Sequence, residues 1–200
     1  PNIKIYVNFS EVLQQIDRIA NRMKREVAFY HGKLQDGLAL DPLTAYSGIL
    51  VPFFAGHRYA RQVILTKTDA VGRLLNLDHR GRTTLSWSLN PPEVAATFEK
   101  NAPSVDTRIG AMQKVAQAGY PVRAVLMPLI PVSGWKDLYE KFLRSLLEQA
   151  PIQRLTLGGI CSYQNARRLM ESRLDVENAV SRQLKPRQES PDGRARYAPE

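Results

Sequence analysis

The stretch Thr83-Thr84-Leu85-Ser86-Trp87-Ser88-Leu89-Asn90-Pro91-Pro92 decides the fold, together with the later Gly119-Tyr120-Pro121-Val122-Arg123-Ala124-Val125-Leu126-Met127-Pro128. Each is a short apolar run closed by proline, which supplies no backbone donor and cannot continue a central strand. Between them Ser104 is placed to cap a helix whose face carries Val105, Ile109, Met112, Val115 and Ala116. Gly119 permits the left-handed turn that would end that helix. Strand, helix and strand in this order predict a parallel crossover.

Outward from this unit the pattern recurs. Val27–Tyr30 runs into His31-Gly32-Lys33, Gln62–Leu65 into Thr66-Lys67-Thr68, and Arg154–Leu157 into Gly158-Gly159. A short extended piece from Ile3 to Val7 leads to Ser10, the expected N-cap of a helix with Leu13, Ile16, Ile19, Ala20 and Met23 on one face. Asp41-Pro42 predicts an N-cap and a first-turn proline for a helix striped by Tyr46, Ile49, Leu50, Phe53 and Phe54, which Pro52 kinks or shortens. Gly134-Trp135 opens a helix with Leu138, Phe142 and Leu146, and Ser162 is expected to cap a last one through Leu169. From about Arg173 the periodicity fades, so residues 1–172 are expected to form a partial β/α barrel and residues 173–200 a loop or tail. Interleaved strands and helices fit either an open parallel sheet or a partial barrel. The chain has no Gly-x-Gly-x-x-Gly or Walker-type loop, which leaves a barrel lacking its first strand as the expectation.

Composition narrows the class. Lys and Arg number 28 against 19 Asp and Glu, a net charge of +9 that attracts polyanions. The basic clusters at Lys24-Arg25, His79–Arg82, Arg167-Arg168 and from Arg182 to Arg196 read as solvated faces or as nucleic-acid contacts. The longest apolar stretch, around Ala124 to Val132, is too short to span a bilayer. The single cysteine, Cys161, excludes an intrachain disulfide, reads as a small buried hydrophobe, and points to a reducing, cytoplasmic setting. The opening Pro1-Asn2-Ile3 carries the expectation of a piece cut from a longer protein.

In parallel α/β folds the strand ends that precede helices share one rim, where ligands bind. Lys67 stands there as a partner for a carboxylate or phosphate; a Schiff-base amine or a lysine snorkelling to solvent would look the same. Ser86, Ser88 and Asn90 alternate with Leu85, Trp87 and Leu89, which predicts one polar face along the strand. Gly32 would let a ligand approach the backbone, and Lys33 adds a cation. His31 reads as a structural histidine, and His31, His57 and His79 have no metal-ligand spacing. No nucleophile, paired acid or base stands out, so the hard step would fall to a cofactor.

Six blocks carry a resemblance: Tyr6-Val7-Asn8, Gly32–Asp41, Thr66-Lys67-Thr68, Leu77–Thr83, Ser86–Glu93 and Ala118–Val122. Together and in this order they resemble the spore photoproduct lyase family of radical S-adenosylmethionine proteins. The resemblance implies a partial (β/α)6 radical SAM-type barrel with its first strand and cluster loop missing. It also implies a [4Fe-4S] cluster, and S-adenosylmethionine cleaved to a 5′-deoxyadenosyl radical that reverses a thymine photodimer in DNA. Lys67 and Ser88 match positions expected to hold the cofactor's carboxylate, with Asn90, Gly32 and Lys33 beside them. The family's Cys-x3-Cys-x2-Cys ligands are expected just before Tyr6, and Lys33 stands where the lyase carries the cysteine that returns a hydrogen. The expected partner is DNA or another nucleic acid, with no membrane. Two alternatives stay open: a non-catalytic nucleic-acid-binding barrel that has lost its cluster, and a Schiff-base lyase using Lys67.

Overall fold

The computed structural model describes residues 5–32, 35–174 and 194–196. Five strands, β1 (Val27–His31), β2 (Ala60–Thr66), β3 (Thr83–Ser88), β4 (Val122–Leu126) and β5 (Ile152–Leu157), form one sheet in sequence order. All pairs are parallel. A doubly wound sheet reverses its order at a switch point, whereas this order runs straight through. The sheet curls into half a barrel with helices on its outside, so the partial-barrel expectation holds and the open-sheet reading falls.

The helices form for identifiable local reasons. Helix α5 (Val105–Gln117) starts where the Ser104 hydroxyl accepts from the Thr107 amide at 3.1 Å. It ends at Gly119, φ +90°, where the amides of Gly119 and Tyr120 return to the carbonyls of Ala116 and Val115. Helix α4 (Pro92–Phe98) begins on the second of the two prolines, at its first helical position, and α6 (Trp135–Gln149) follows Gly134 as expected. Trp87 is fully buried with Leu85, Val122, Ala124 and Leu126 under Ile109, Met112 and Val115 of α5 and Tyr139, Phe142 and Leu146 of α6. Each Leu, Val, Ile, Met or Phe side chain of this set contributes roughly 1.5–3 kcal/mol of burial.

Three local expectations change. Helix α1 (Phe9–Met23) is capped at Asn8, not Ser10, and the described part of the extended piece, Ile5 to Val7, joins no strand. Asp41 does not cap one long helix. It sits inside the short α2 (Asp41–Thr44), and its carboxylate accepts from the Ser47 amide and hydroxyl, both at 2.7 Å, at the start of α3 (Ser47–Gly56). Ala45, φ 55°, makes the break, and Pro52 lies inside α3. Ser162 lies in β6 (Cys161–Tyr163), so α7 begins at Gln164 and runs to Leu174. Of the expected tail, Arg194–Arg196 forms β7, antiparallel to β6 in a second small sheet, while residues 175–193 and 197–200 lie outside the described residues. Among the described residues no helix is long and apolar enough to cross a membrane.

Candidate functional site

The ends of β1, β2 and β3 meet at an open cleft of about 340 Å³ lined by Gly32, Gln35, Asp36, Leu65, Thr66, Lys67 and Ser88. That volume lies within the usual range for small-molecule sites. The registers explain the meeting: Leu65 pairs with Ser86 and Thr66 with Trp87, so Lys67 and Ser88 follow side by side.

Asp36 pins the loop after β1 to the end of β2. Its Oδ1 accepts from the Thr66 hydroxyl at 2.7 Å and from the amides of Leu38 and Ala39, both at 2.9 Å; Oδ2 accepts from the Lys67 amide at 2.6 Å. The Gly37 amide donates to the Leu65 carbonyl at 2.9 Å. This closeness excludes a side chain at Gly32, φ +94°, where a Cβ would stand 2.2 Å from the Leu65 oxygen.

Behind the cleft lies a buried carboxylate. Glu99, just past the end of α4, is paired with the Lys67 ammonium at 3.2 Å and with the guanidinium of Arg108, and accepts from the Asn90 amide at 2.8 Å. The Glu99 and Arg108 side chains are 5% and 1% exposed, whereas Lys67 keeps 39% and so reaches the cleft. Burial alone would raise the Glu99 carboxyl, but the Asn90 and Arg108 hydrogen bonds and the Lys67 and Arg108 charges outweigh it and hold it below its ordinary value. Asn90 in turn accepts from the Tyr139 hydroxyl at 2.7 Å, and that hydroxyl accepts from the Ile130 amide. The phenol is raised by burial and by the Glu99 charge, against the pull of the Ile130 amide, so it remains a neutral donor.

Of the expected site residues, Gly32, Lys67 and Ser88 line one cleft. Asn90 was expected on the same face as Ser88, but β3 ends at Ser88 and the two-residue alternation ends with it. The Asn90 side chain points into the Glu99 network, not into the cleft. Lys33 lies outside the described residues. Asp36 and Glu99 are the residues sequence reasoning missed. A signal for Glu99 existed: Arg108 interrupts the apolar face of α5 between Val105 and Met112, and an arginine buried in a core stripe needs a carboxylate.

His57 and His79 are structural. His57 accepts from the Tyr59 and Ala60 amides and faces Asp17, while His79 stacks on Tyr120 with its ring atoms bonded to Gly81 and Ala118. His31 is pushed down by burial, against the charges of Asp36 and Asp41, and so is held neutral. Among the described residues no three His, Cys, Asp or Glu side chains could hold a metal.

The family model for spore photoproduct lyase matches residues 1–167. The spore photoproduct lyase of Bacillus subtilis (strain 168) is 30% identical over 147 residues, covering 73% of this chain and 43% of that protein. A solved spore photoproduct lyase complexed with dinucleoside spore photoproduct superposes with a TM-score of 0.89 at 26% identity, covering 99% of this chain and 61% of that one. A double mutant of the lyase with bound AdoMet and dinucleoside spore photoproduct gives a TM-score of 0.88 at 26% identity, covering 98% of this chain and 60% of that one. The chain spans less than half the length of the curated relatives it matches.

Proposed function

Because this chain belongs to the spore photoproduct lyase family, we propose that it forms the cofactor- and substrate-facing part of a radical S-adenosylmethionine enzyme that repairs a photoproduct in DNA. The observation that carries this reading is the Lys67 ammonium, held by buried Glu99 beside Ser88 over the cleft.

The residues present fit S-adenosylmethionine. The cofactor has a carboxylate, and the cleft offers it one ammonium and one hydroxyl on adjacent strands, with the bare backbone of Gly32 opposite. Lys67 and Ser88 would hold that carboxylate, while Asn90, Arg108 and Glu99 position Lys67 from behind. When bound and given one electron by a [4Fe-4S] cluster, S-adenosylmethionine would supply a carbon-centred radical for hydrogen abstraction, with methionine as the leaving group. Lys67 serves here as a cationic donor; paired with Glu99 it is not the desolvated amine that a Schiff base needs. A [4Fe-4S] cluster requires several cysteine thiolates, and these 200 residues contain only Cys161, so they do not form its ligand set.

Titration of S-adenosylmethionine into the chain by calorimetry tests the cofactor site. Saturable binding is expected, weakened about tenfold or more by Lys67→Ala, as befits loss of a charge-assisted hydrogen bond. Lack of saturation, or equal affinity in Lys67→Ala, overturns the reading. Repair is tested in the protein reconstituted with its cluster, by release of thymines from an oligonucleotide carrying the spore photoproduct; bound cofactor without release would restrict the reading to another substrate.

A further inference from the structure

The inner face of the sheet carries two arginines that the cleft does not use. Arg123 of β4 lies beside Ser86 of β3 on one side and beside Arg154 of β5 on the other. Alternation along β3 and β4 turns Ser86 and Arg123 away from Leu85, Trp87, Ala124 and Leu126, which pack beneath α5 and α6. The β4–β5 register skips Gln153 at a bulge, after which Leu155 packs against the core and its neighbour Arg154 turns to the other face with Arg123; Arg123 is half-buried and Arg154 exposed.

Several of this protein's arginines are neutralised by carboxylates. Arg61 and Arg82 meet Glu26 at 2.6 and 3.3 Å, Arg73 meets Asp41 at 3.5 Å, Arg108 meets Glu99, and Arg144 meets Glu140 at 2.7 Å. Arg123 and Arg154 form no ion pair or hydrogen bond among the described residues. Two like charges directly across paired strands, which lie about 4.8 Å apart, repel each other. An anion between them reverses the sign of that interaction, and guanidinium forks match phosphate oxygens in pairs.

The position suits a substrate group. Ser86 precedes the cleft residue Ser88 by one strand period, roughly 7 Å, so the arginine pair lies one layer below the cleft on the same face. We propose that Arg123 and Arg154 form a subsite for the phosphate of a nucleotide substrate whose reacting part lies against the cleft. The proposal rests on the reading that this face takes a nucleic-acid substrate.

Equilibrium dialysis of the chain with thymidylyl-thymidine, which has one internal phosphodiester, is the test. S-adenosylmethionine is left out, so failure of the cofactor reading does not affect the result. Arg123→Gln/Arg154→Gln is expected to weaken binding about tenfold or more, since hydrogen bonds to charged groups are the strong ones. The neutral methylphosphonate analogue should bind the unchanged chain about as weakly as thymidylyl-thymidine binds the double variant. Thermal unfolding should show the double variant at least as stable as the parent, because a repulsive pair has been removed. Arg144→Gln, on the outer helix α6, should leave affinity unchanged. No saturable binding, equal affinity in the double variant, an equal loss in Arg144→Gln, or equal binding of the methylphosphonate overturns the proposal.

Discussion

Replacing Glu99 by glutamine removes the charge that Lys67 and Arg108 share. Arg108, 1% exposed, would be left buried without a counter-charge, which costs about 3–5 kcal/mol. Lys67→Ala removes only the partly exposed member, for which up to about 1 kcal/mol is expected. Urea unfolding of the two variants should therefore separate them clearly, while both weaken S-adenosylmethionine binding. The pH dependence has a definite sign. The folded carboxyl lies below its ordinary value of 4.5, so its contribution is complete above that pH and is lost as pH falls through the folded value. Acid titration of Glu99→Gln should lack this slope.

At the scale of elements, the cleft depends on a loop drawn tightly against a strand end. Gly32→Ala would put a Cβ 2.2 Å from a backbone oxygen that cannot rotate away, whereas Gly134, φ +67°, has open space where its Cβ would go. Gly32→Ala should thus lower the melting temperature more than Gly134→Ala, whose cost is backbone strain alone, roughly 1 kcal/mol. It should also weaken cofactor binding, which Gly134→Ala should not. Gly32 was legible as a point of close approach because it directly follows an apolar run. Asp36 was not, because the loop between His31 and Asp41 offers several polar side chains and only the fold shows which one reaches Thr66 and Lys67. The break at Ala45 was hidden for a related reason: the apolar stripe continues through it, while Asp41 reaches six residues ahead to cap the second helix.

Across the whole molecule, Tyr120 ties distant parts of the chain together. Its hydroxyl donates to the Leu74 carbonyl at 2.9 Å, and its ring stacks on His79 at 3.7 Å. Burial, helped by the charge of Asp78, pushes the phenol up to about 12 from 10.0. The fold favours the neutral phenol, so the stability it contributes is complete below pH 10 and is lost as pH rises from 10 towards 12. Denaturant titrations across that range should show the decline in the parent and a flatter profile in Tyr120→Phe.

Five strand ends, the caps at Ser104 and Gly119, and the placement of Gly32, Lys67 and Ser88 on one rim were determined by the sequence itself. These follow from near-neighbour physics: two-residue alternation, proline's missing donor, glycine's access to positive φ. The partners of those residues were decided only by the tertiary structure. Glu99 reaches back to Asn90 and forward to Arg108, and meets Lys67 only because α4 packs at the end of β3. Arg123 and Arg154 become neighbours only through the register of β4 and β5. Local pattern specifies what each segment can form, but charge pairing depends on distances of a few ångströms between segments far apart in the chain, and those distances exist only once the sheet has curled.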